Sequence, residues 1–468
     1  LEPLKSGIQR FKHKEFRSVR LKVTPSPNVV FKHPFSRKLI SLKTLNISGA
    51  GFAVEEDPNN AVLLPGMMIP EMELNFTSGF RFKCKAQVIY RKMVSSPENQ
   101  SRIKCGLALL DMDIERHVQL ISLLHQAENR HSYVCNKVDL DDLWDFFFET
   151  GFIYPDKYEY IRKNKKQIKE TYETLYTRNP NIARHFIYQD RGHILAHMGM
   201  VRYYENTWLI HHHAARSSND NRAGLIVLNQ IGRFGNDSHR LYSIHMDFLM
   251  CYYRPDNKFP RRVFGGAVRN IKNVKGCSED LFDYFHFLKK PYQPFNRYGA
   301  GQWELSAARD SDLYELEYFY EDVSGGLMLN ALNLEPGNVD HGDLAGEYQK
   351  LGFKRERNLY SLKKNGDIKA VFIVDLSDIG LNLSDLTNSI KVVVVDPEDL
   401  SKDIVYNALS KLLEKVEQHE TPVMIYPTGY AEKAEIPLEK QYNLWVINLQ
   451  HTDDYFRYLN RLLRFMKQ

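Results

Sequence analysis

Two small polar side chains and two glycines lie close together in the stretch Leu-Asn-Ile-Ser-Gly-Ala-Gly-Phe-Ala-Val, residues 45–54. Asn46 and Ser48 are two residues apart, so on an extended strand they point to the same face and can form hydrogen bonds side by side. Gly49 and Gly51 permit a bulge or a positive-φ turn that leaves backbone N–H groups open to a closely approaching ligand. The stretch is therefore either a ligand-binding strand and turn or a simple β-turn, since short Asn, Ser and Gly runs commonly form turns.

A strongly basic segment lies upstream of this stretch. Its Lys and Arg side chains are Arg10, Lys12, Lys14, Arg17, Arg20 and Lys22. Arginine offers phosphate a planar fork of N–H donors and offers a nucleobase a flat face for stacking. The segment is therefore either an anion-binding arm or a solvated basic tail.

The residues around the polar stretch have the pattern of β-structure. From residue 37 to about residue 110, apolar and polar side chains largely alternate, and Pro, Gly and Ser turns separate the alternating runs. Such alternation is typical of antiparallel sheets. The sequence predicts a small antiparallel barrel or sandwich, closed by a helix at residues 114–128.

Residues 10–128 resemble a PilZ domain, the bacterial β-barrel family that binds cyclic di-GMP. The second motif of that family, Asp or Asn followed by x-Ser-x-x-Gly, is matched by Asn46, Ser48 and Gly51. The strand Ala-Gln-Val-Ile-Tyr and the closing run Cys-Gly-Leu-Ala-Leu-Leu match two later landmarks of the family. The resemblance implies a sensor domain for a cyclic dinucleotide.

The basic arm departs from the family pattern. The family's first motif has two arginines spaced RxxxR, and here Lys14 and Ser18 stand at those positions with Arg17 and Arg20 beside them. The resemblance implies cyclic di-GMP, or a related cyclic dinucleotide, as the regulatory ligand. The residues that it implies for ligand binding are Arg10, Lys14, Arg17, Arg20, Asn46, Ser48 and Gly51.

The composition changes after a crossing segment at residues 129–138. Helix patterns, a run of strands, a polar loop and a further helix then follow. This order resembles the fold of GNAT-type acyltransferases. The predicted helices are residues 139–149, 155–176, a stretch beginning at 223, and 278–288, and the predicted strands are residues 183–189, 193–204, 208–215, 243–253 and 262–271.

In the GNAT family, the loop before the central helix presents backbone N–H groups to the pyrophosphate of acyl-CoA through a Gln/Arg-x-x-Gly-x-Gly/Ala pattern. Here Gly224 matches the final glycine, Arg222 replaces the middle one, and Asn219 replaces the leading residue. The resemblance implies acetyl-CoA or another acyl-CoA as cofactor, held by Asn219, Arg222, Ala223 and Gly224. It also implies an amine or protein as acyl acceptor, and it assigns no catalytic residue.

A second round of the same element order follows a Pro- and Gly-rich crossing at residues 291–301. Pro397 and Asp399 start its long helix without a glycine loop, so we expect this half to be structural rather than catalytic. Its predicted helices are residues 311–322, 341–351, 400–418 and 453–466, and its predicted strands are residues 353–363, 368–375, 390–396, 422–426 and 444–449. The predicted fold class is thus multidomain: a PilZ-like antiparallel β-barrel at 1–128 and α/β (α+β) tandem GNAT-like halves at 139–290 and 302–468.

Three consecutive histidines, His211, His212 and His213, have side chains of the type that binds metal. Strand alternation would place His212 on the face opposite the other two, and the sequence offers no definite ligand spacing. No metal site is predicted. The alternative is that one of these histidines acts as a general base or lines a substrate cavity.

Two other groups of residues each have a chemical and a structural interpretation. Tyr252 and Tyr253 are either the location of a general acid or core tyrosines. Arg261, Arg262 and Arg269 either line an anionic substrate site or lie on a solvated face.

The 468-residue chain has ordinary globular composition, with 43% hydrophobic and 26% charged residues. A net charge of +5 does not call for a nucleic-acid polymer as partner. The five cysteines form no CxxC pair and fit free thiols in a reducing cytoplasm. No apolar run is long enough for a membrane span, and the start at Leu1 is neither a signal peptide nor an initiator Met, so we expect a cytoplasmic protein with residues upstream.

Two hypotheses from different classes follow. In the first, the PilZ-like sensor regulates a GNAT-like N-acyltransferase that transfers an acyl group from CoA. In the second, both GNAT-like halves are non-catalytic and form a platform for protein–protein interaction, with the PilZ-like domain degenerate or ligand-switched.

Overall fold

The computed structural model describes residues 14–16, 19–77, 79–95, 101–135, 138–153, 155, 158–178, 181–216, 223–295, 302–337, 344–378, 380–383, 386–414 and 419–465. The chain forms two compact units. The first comprises Leu1–Asp156, Leu175–Met200 and His213–Asp247, and the second comprises Lys157–Thr174, Val201–His212 and Phe248–Gln468.

Six strands of the first unit close into an antiparallel barrel in the order β1-β2-β3-β6-β5-β4. In β5 the alternation is plain, because Phe82, Cys84 and Ala86 are buried and the lysines between them are exposed. β1 lies upstream of residue 37, where the predicted β-structure begins. Its five residues are too few to show a clear alternation of apolar and polar side chains. The strands are β1 (Asn28–Lys32), β2 (Leu39–Ser48), β3 (Gly51–Glu56), β4 (Met68–Asn75), β5 (Arg81–Ser95) and β6 (Ser101–Met112).

The helix α1 (Ile114–Glu128) has the predicted bounds. Asp113 caps it, since the Asp113 carboxylate accepts a hydrogen bond of 3.1 Å from the backbone N–H of Arg116. Val118, Ile121 and Leu124 form its buried face.

The remaining strands lie in a mixed sheet in the order β13-β14-β15-β16-β17-β12-β18-β11-β10-β9-β8-β7. They are β7 (Ser132–Val134), β8 (Ala183–Asp190), β9 (His193–Tyr204), β10 (Thr207–Ala215), β11 (Phe248–Tyr253), β12 (Cys277–Leu288), β13 (Trp303–Ala307), β14 (Arg355–Lys364), β15 (Asp367–Ser377), β16 (Ser389–Val394), β17 (Glu420–Tyr426) and β18 (Lys440–Asn448).

The other helices are α2 (Leu140–Glu149), α3 (Tyr158–Lys163), α4 (Lys165–Glu173), α5 (Ala223–Ser238), α6 (Lys258–Pro260), α7 (Gly266–Ile271), α8 (Asp310–Val323), α9 (Met328–Ala331), α10 (Leu344–Lys350), α11 (Lys402–Leu412), α12 (Tyr430–Lys433) and α13 (Thr452–Phe465). The single helix predicted at 155–176 is divided, because Asn164 leaves the helical conformation between α3 and α4.

Two neighbouring strand pairs are parallel, β10 with β11 and β16 with β17. Parallel neighbours need a crossover connection, and the chain passes through α5 between the first pair and through α11 between the second. β10 pairs with β11 only from Thr207 to Leu209, although β10 continues to Ala215.

The centre of the sheet combines strands from both predicted halves. β12 pairs with β17 on one side and with β18 on the other, and β18 also pairs with β11. β18, which follows all the other strands of the described residues, therefore lies between two strands of the predicted first half. The division into halves at residues 139–290 and 302–468 stays a prediction.

Two predicted elements are wrong. Residues 278–288, predicted as a helix, form part of β12; Phe282 and Tyr284 are buried on one face and Phe285 on the other, so period-2 alternation is absent. Residues 262–271, predicted as a strand, form a π-helical turn at Arg261–Gly265 followed by α7. A side chain at Gly266 would overlap the hydroxyl group of Tyr458, so this glycine permits close packing of a helix.

The predicted fold class, an antiparallel barrel followed by α/β structure, is confirmed. Within the described ranges, no helix has the length and apolar character needed to cross a membrane.

Candidate functional site

Asn46 and Ser48 lie at the end of β2, where the chain turns through residues 49 and 50 into β3. Ser48 is opposite Gly51 in the antiparallel pair and is buried, and its hydroxyl group donates a hydrogen bond of 3.0 Å to the Gly51 carbonyl oxygen. Asn46 is half-buried. Ile47, between them, points into the core, as strand alternation predicts.

The two glycines of the motif permit close packing. A side chain at Gly49 would overlap Ile121 and lie 2.6 Å from the Asp237 carboxylate, and a side chain at Gly51 would overlap the backbone oxygen of Leu107. Neither glycine has positive φ, so of the two alternatives, a bulge or a positive-φ turn, the second is not found. The physical requirement here is the missing Cβ, which lets α1, α5 and β6 approach the turn.

The basic arm is held on the motif strand by backbone hydrogen bonds. The N–H of Leu21 donates to the carbonyl oxygen of Ile47 at 2.8 Å, and the N–H of Ile47 donates to the carbonyl oxygen of Leu21 at 2.9 Å. This bridge places Arg20 beside Asn46, with 3.5 Å between Arg20 Nη1 and Asn46 Oδ1. An exposed guanidinium and the motif amide therefore lie together on the surface of the barrel.

The C-terminal end of α5 holds both the arm and the motif turn. Asn236 Nδ2 donates to the carbonyl oxygen of Phe16 at 2.9 Å. The backbone N–H of Gly49 donates to the Asp237 carboxylate. From α1, His117 Nε2 lies 3.3 Å from the carbonyl oxygen of Gly49. The turn is thus fixed on its N–H side by α5 and on its C=O side by α1.

Burial perturbs the titratable groups around this turn. Burial raises the pKa of the Asp237 carboxyl to about 7, although Arg233 and the Gly49 N–H favour its charged form. Burial lowers the pKa of His117 to about 4, against the opposing effect of its hydrogen bond to Gly49. Burial also lowers the pKa of His239 to about 3, and the positive charges of Lys14 and Arg240 add to this effect.

We expect Asp237→Asn to remove a pH dependence from the unfolding free energy. The carboxyl has a raised pKa in the folded state, so its contribution to stability is present below the unfolded pKa of about 4 and is lost as the pH rises through about 7. Between pH ~5.5 and ~8.5 the wild type should lose about 2 kcal/mol relative to the variant. Chemical unfolding of both proteins across this pH range measures the difference.

The matched control for this prediction is Asp256→Asn, whose carboxylate is 66% exposed. Its difference from the wild type should stay constant over the same pH range. A constant difference for Asp237→Asn as well would show that the Asp237 carboxyl titrates near its ordinary pKa.

The structure brings together only some of the residues predicted to bind the dinucleotide. Arg20, Asn46, Ser48 and Gly51 lie at one end of β2, and Lys14 is buried near His239. Arg10 and Arg17 lie outside the described residues.

The second predicted site is at the start of α5. Ala223 and Gly224 are buried in its first turn, and Asn219 and Arg222 lie outside the described residues. A side chain at Gly224 would lie 3.2 Å from Ala215 and 3.3 Å from the ring of His213, so the helix packs tightly on the end of β10. The start of this 16-residue helix is the kind of place where backbone N–H groups bind anions.

The three histidines do not alternate as the sequence predicts. His212 has φ of 52°, which breaks the alternation of side chains within β10, and the rings of His211 and His212 stack with centroids 4.0 Å apart. His212 Nε2 accepts a hydrogen bond of 3.1 Å from the N–H of Leu383. His213 Nε2 lies 3.2 Å from the carbonyl oxygen of Gly224, and burial lowers the pKa of His213 to about 4. In the described part of the chain, no group of three His, Cys, Asp or Glu side chains is arranged to hold a metal ion.

The two tyrosines of β11 have different surroundings. Tyr253 donates a hydrogen bond of 2.5 Å to Glu279, and burial together with this carboxylate raises the pKa of Tyr253. The hydroxyl group of Tyr252 is buried and has no hydrogen-bond partner among the described residues. Burial and the charge of Asp375 hold the pKa of Tyr252 well above its ordinary value.

The three arginines that could line an anionic substrate site lie on a helical segment. Arg261 and Arg262 are in the π-helical turn and Arg269 is in α7, and all three are exposed or partly exposed. Arg269 donates a hydrogen bond of 3.3 Å to the carbonyl oxygen of Arg261.

Sequence reasoning missed Asn236, Asp237 and His117. They lie about 70 to 190 positions beyond the motif turn that they hold, and no local spacing connects them with Gly49. The available signal was the sequence Gly-Asn-Asp-Ser at the end of an otherwise apolar helix, where buried polar residues need partners.

No protein-family model and no curated protein matches the chain. Among solved structures, the PilZ domain of YcgR from Escherichia coli with c-di-GMP is 20% identical, over 25% of this chain and 97% of that chain, with a TM-score of 0.22. MrkH from K. pneumonia is 16% identical, over 26% of this chain and 54% of that chain, with a TM-score of 0.22. A GCN5-related N-acetyltransferase from Sphaerobacter thermophilus is 9% identical, over 68% of this chain and 96% of that chain, with a TM-score of 0.37.

Proposed function

We propose that this protein is a cytoplasmic effector of a cyclic dinucleotide, with cyclic di-GMP the first candidate. The barrel would act as the sensor, and the mixed sheet with its helices as the output module. The observation that carries the proposal is the position of the basic arm: Leu21 pairs with Ile47, and Arg20 reaches Asn46 beside the motif turn. The five cysteines are all unpaired, which suits a reducing compartment.

The chemistry of this surface fits a dinucleotide with two phosphates and two guanines. The Arg20 guanidinium can pair with a phosphate and stack on a base. The Asn46 amide can both donate to and accept from a guanine edge. Ser48 would act indirectly, because its hydroxyl group holds the turn through Gly51.

The same contacts suggest how ligand binding would reach the output module. A dinucleotide bound by Arg20 would change the position of the basic arm. Asn236 contacts the same arm through its hydrogen bond to the Phe16 carbonyl oxygen. Asn236 and Asp237 lie at one end of α5, and the predicted acyl-CoA loop lies at the other end. Ligand binding would then change the position or rigidity of α5, as in other order–disorder switches.

The output module has two candidate functions. The first is N-acyl transfer from acetyl-CoA or another acyl-CoA to an amine or protein acceptor, with the pyrophosphate at the start of α5. The second is a non-catalytic platform for protein partners. The hydrogen bond between His212 and Leu383 favours the second. It occupies the part of β10 that does not pair with β11.

Titration of cyclic di-GMP into the full chain by calorimetry tests the sensor. We expect saturable binding by the wild type and roughly 100-fold weaker binding by the double variant Arg20→Ala/Asn46→Ala, since hydrogen bonds to charged groups contribute about 1.5–3 kcal/mol and neutral ones about 1 kcal/mol. Thermal shift with acetyl-CoA and longer acyl-CoAs is the second arm of the experiment, because a ligand at about 100 times its Kd adds ~2.7 kcal/mol.

Arg254→Ala is the matched control, because Arg254 is a partly exposed arginine in the other compact unit. It should bind the dinucleotide like the wild type. Equal loss in the control and the double variant, or full affinity in the double variant, would place the dinucleotide elsewhere. Stabilisation by cyclic di-GMP without any response to acyl-CoA would support the sensor function of the barrel. It would exclude acyl transfer, so that the protein-binding platform remains as the output function.

A further inference from the structure

The end of the barrel opposite the motif turn carries an unusual set of exposed apolar side chains. The β1–β2 turn lies at this end, together with the start of β6 and the last residues of β5, because Lys32 pairs with Leu39 and Met93 with Ile103. The exposed apolar residues are Phe35, Leu39, Leu64, Met93 and Val94, with exposed fractions from 41% to 77%. We call these residues the distal apolar rim.

The tip of the β1–β2 turn is the most exposed part of this rim. Phe35 is 77% exposed and Leu39 is 75% exposed. Arg37 and Lys38 stand between them and are also exposed. Two apolar side chains thus protrude beside two cations.

The tip is held rigidly by a buried histidine. His33 Nδ1 accepts hydrogen bonds from the N–H groups of Phe35 at 3.3 Å and Ser36 at 3.1 Å, and His33 Nε2 lies 3.2 Å from the carbonyl oxygen of Val62. The backbone N–H of His33 donates to the Lys38 carbonyl oxygen at 2.9 Å. Because these bonds fix the turn, Phe35 is presented to solvent by an ordered structure, and binding through it costs little conformational entropy.

The charges around the distal apolar rim are mostly positive. The cations described at this end are Lys32, Arg37, Lys38, Arg91, Lys92, Arg102 and Lys104, and the exposed carboxylates described there are Glu55, Asp57 and Glu71. A second copy of the chain would bring like charges together, which disfavours self-association through this end. Protruding apolar side chains with surrounding cations suit an anionic lipid surface. The apolar side chains can insert among the acyl chains, and the anionic headgroups attract the cations.

We propose that the distal apolar rim docks the barrel onto a membrane surface that contains anionic phospholipid. Phe35 and Leu39 enter the headgroup region, and Arg37 and Lys38 pair with lipid phosphates. This interaction is peripheral and does not depend on the dinucleotide proposal. The ligand motif lies at the other end of the barrel and would face away from the lipid.

Flotation of the full chain with vesicles tests this proposal, using phosphatidylcholine alone and phosphatidylcholine mixed with phosphatidylglycerol. We expect flotation with the mixed vesicles and little with neutral vesicles. Arg37→Glu/Lys38→Glu should lower the partition coefficient by roughly 30-fold or more, since each cation near an anionic surface contributes about 1 kcal/mol. Phe35→Ser/Leu39→Ser should lower it at least about tenfold, through the loss of buried apolar area.

Tyr314→Ser/Tyr318→Ser is the control, because these α8 side chains are 62% and 83% exposed in the other compact unit. It should float like the wild type. All the substituted side chains are exposed, so the melting temperatures should match that of the wild type. No flotation of the wild type, or equal loss in the tyrosine control, would overturn the proposal. So would equal binding to neutral vesicles, or a dimer in light scattering that the Phe35 variant abolishes.

Discussion

Gly51→Ala is expected to destabilise the barrel by roughly 3 kcal/mol, because overpacking of a tight contact forces the backbone to move. A Cβ at this position would overlap the backbone oxygen of Leu107, and Gly51 pairs with Ala108 across β3 and β6. A side chain could rotate away from the new methyl group, but a carbonyl oxygen within a barrel strand cannot. Thermal or chemical unfolding of the purified variant measures the loss.

Ser41→Ala is the control for Gly51→Ala, since Ser41 is exposed on the neighbouring strand β2. Its unfolding free energy should lie within about 0.5 kcal/mol of the wild type. If Gly51→Ala unfolds at the wild-type temperature, β6 can shift away from residue 51 without cost, and the glycine of the motif is then not required for packing.

Lys391→Met is expected to cost about 3–5 kcal/mol of unfolding free energy, since it leaves a buried carboxylate without its closest cation. Lys391 and Asp375 are both fully buried, and Lys391 Nζ lies 2.7 Å from Asp375 Oδ2. Burial alone would raise the pKa of Asp375, but Lys391 and Arg357 outweigh burial and hold this pKa below its usual range. Tyr204 also donates to the same carboxylate oxygen, at 3.1 Å.

The double variant Asp375→Asn/Lys391→Met separates loss of the pair from loss of volume. It should recover only part of the stability that the single variant loses, because the uncompensated carboxylate is gone but the buried Arg357 guanidinium loses the charge of Asp375. Lys433→Met, at an exposed position of α12, should be nearly neutral. A single variant as stable as the wild type would mean that Arg357 and Tyr204 satisfy Asp375 without Lys391.

The sequence predicted the elements whose pattern is local. Strand 193–204 and helix 114–128 have the predicted bounds, and the order β16, α11, β17 is also found. The strand β12 was predicted as a helix because both of its faces are buried and because Ser-Glu-Asp at its start has the composition of a helix N-terminus. Burial on both faces follows from its place between β17 and β18, and that place depends on residues more than 130 positions away.

The candidate site was partly predictable for the same reason. Asn46, Ser48 and Gly51 are close in sequence, so their spacing alone indicates a strand, a turn and a polar surface. Their partners are not close in sequence. Asp237 binds the N–H of Gly49 from a helix that local patterns identify only as apolar, and the glycine spacing gave no sign that the turn would be packed against it.

The position of β18 has a consequence for synthesis of the chain. Phe248 in β11 pairs with Asn448 in β18, so two neighbours at the centre of the sheet are separated by 448 − 248 = 200 positions. Contacts of such high sequence separation form late, because a long loop must close first. On the ribosome, β11 and β12 therefore keep unpaired edges until β18 emerges, and chains that stop before β18 expose these edges to aggregation. The barrel does not share this delay, since its strands all lie within residues 28–112.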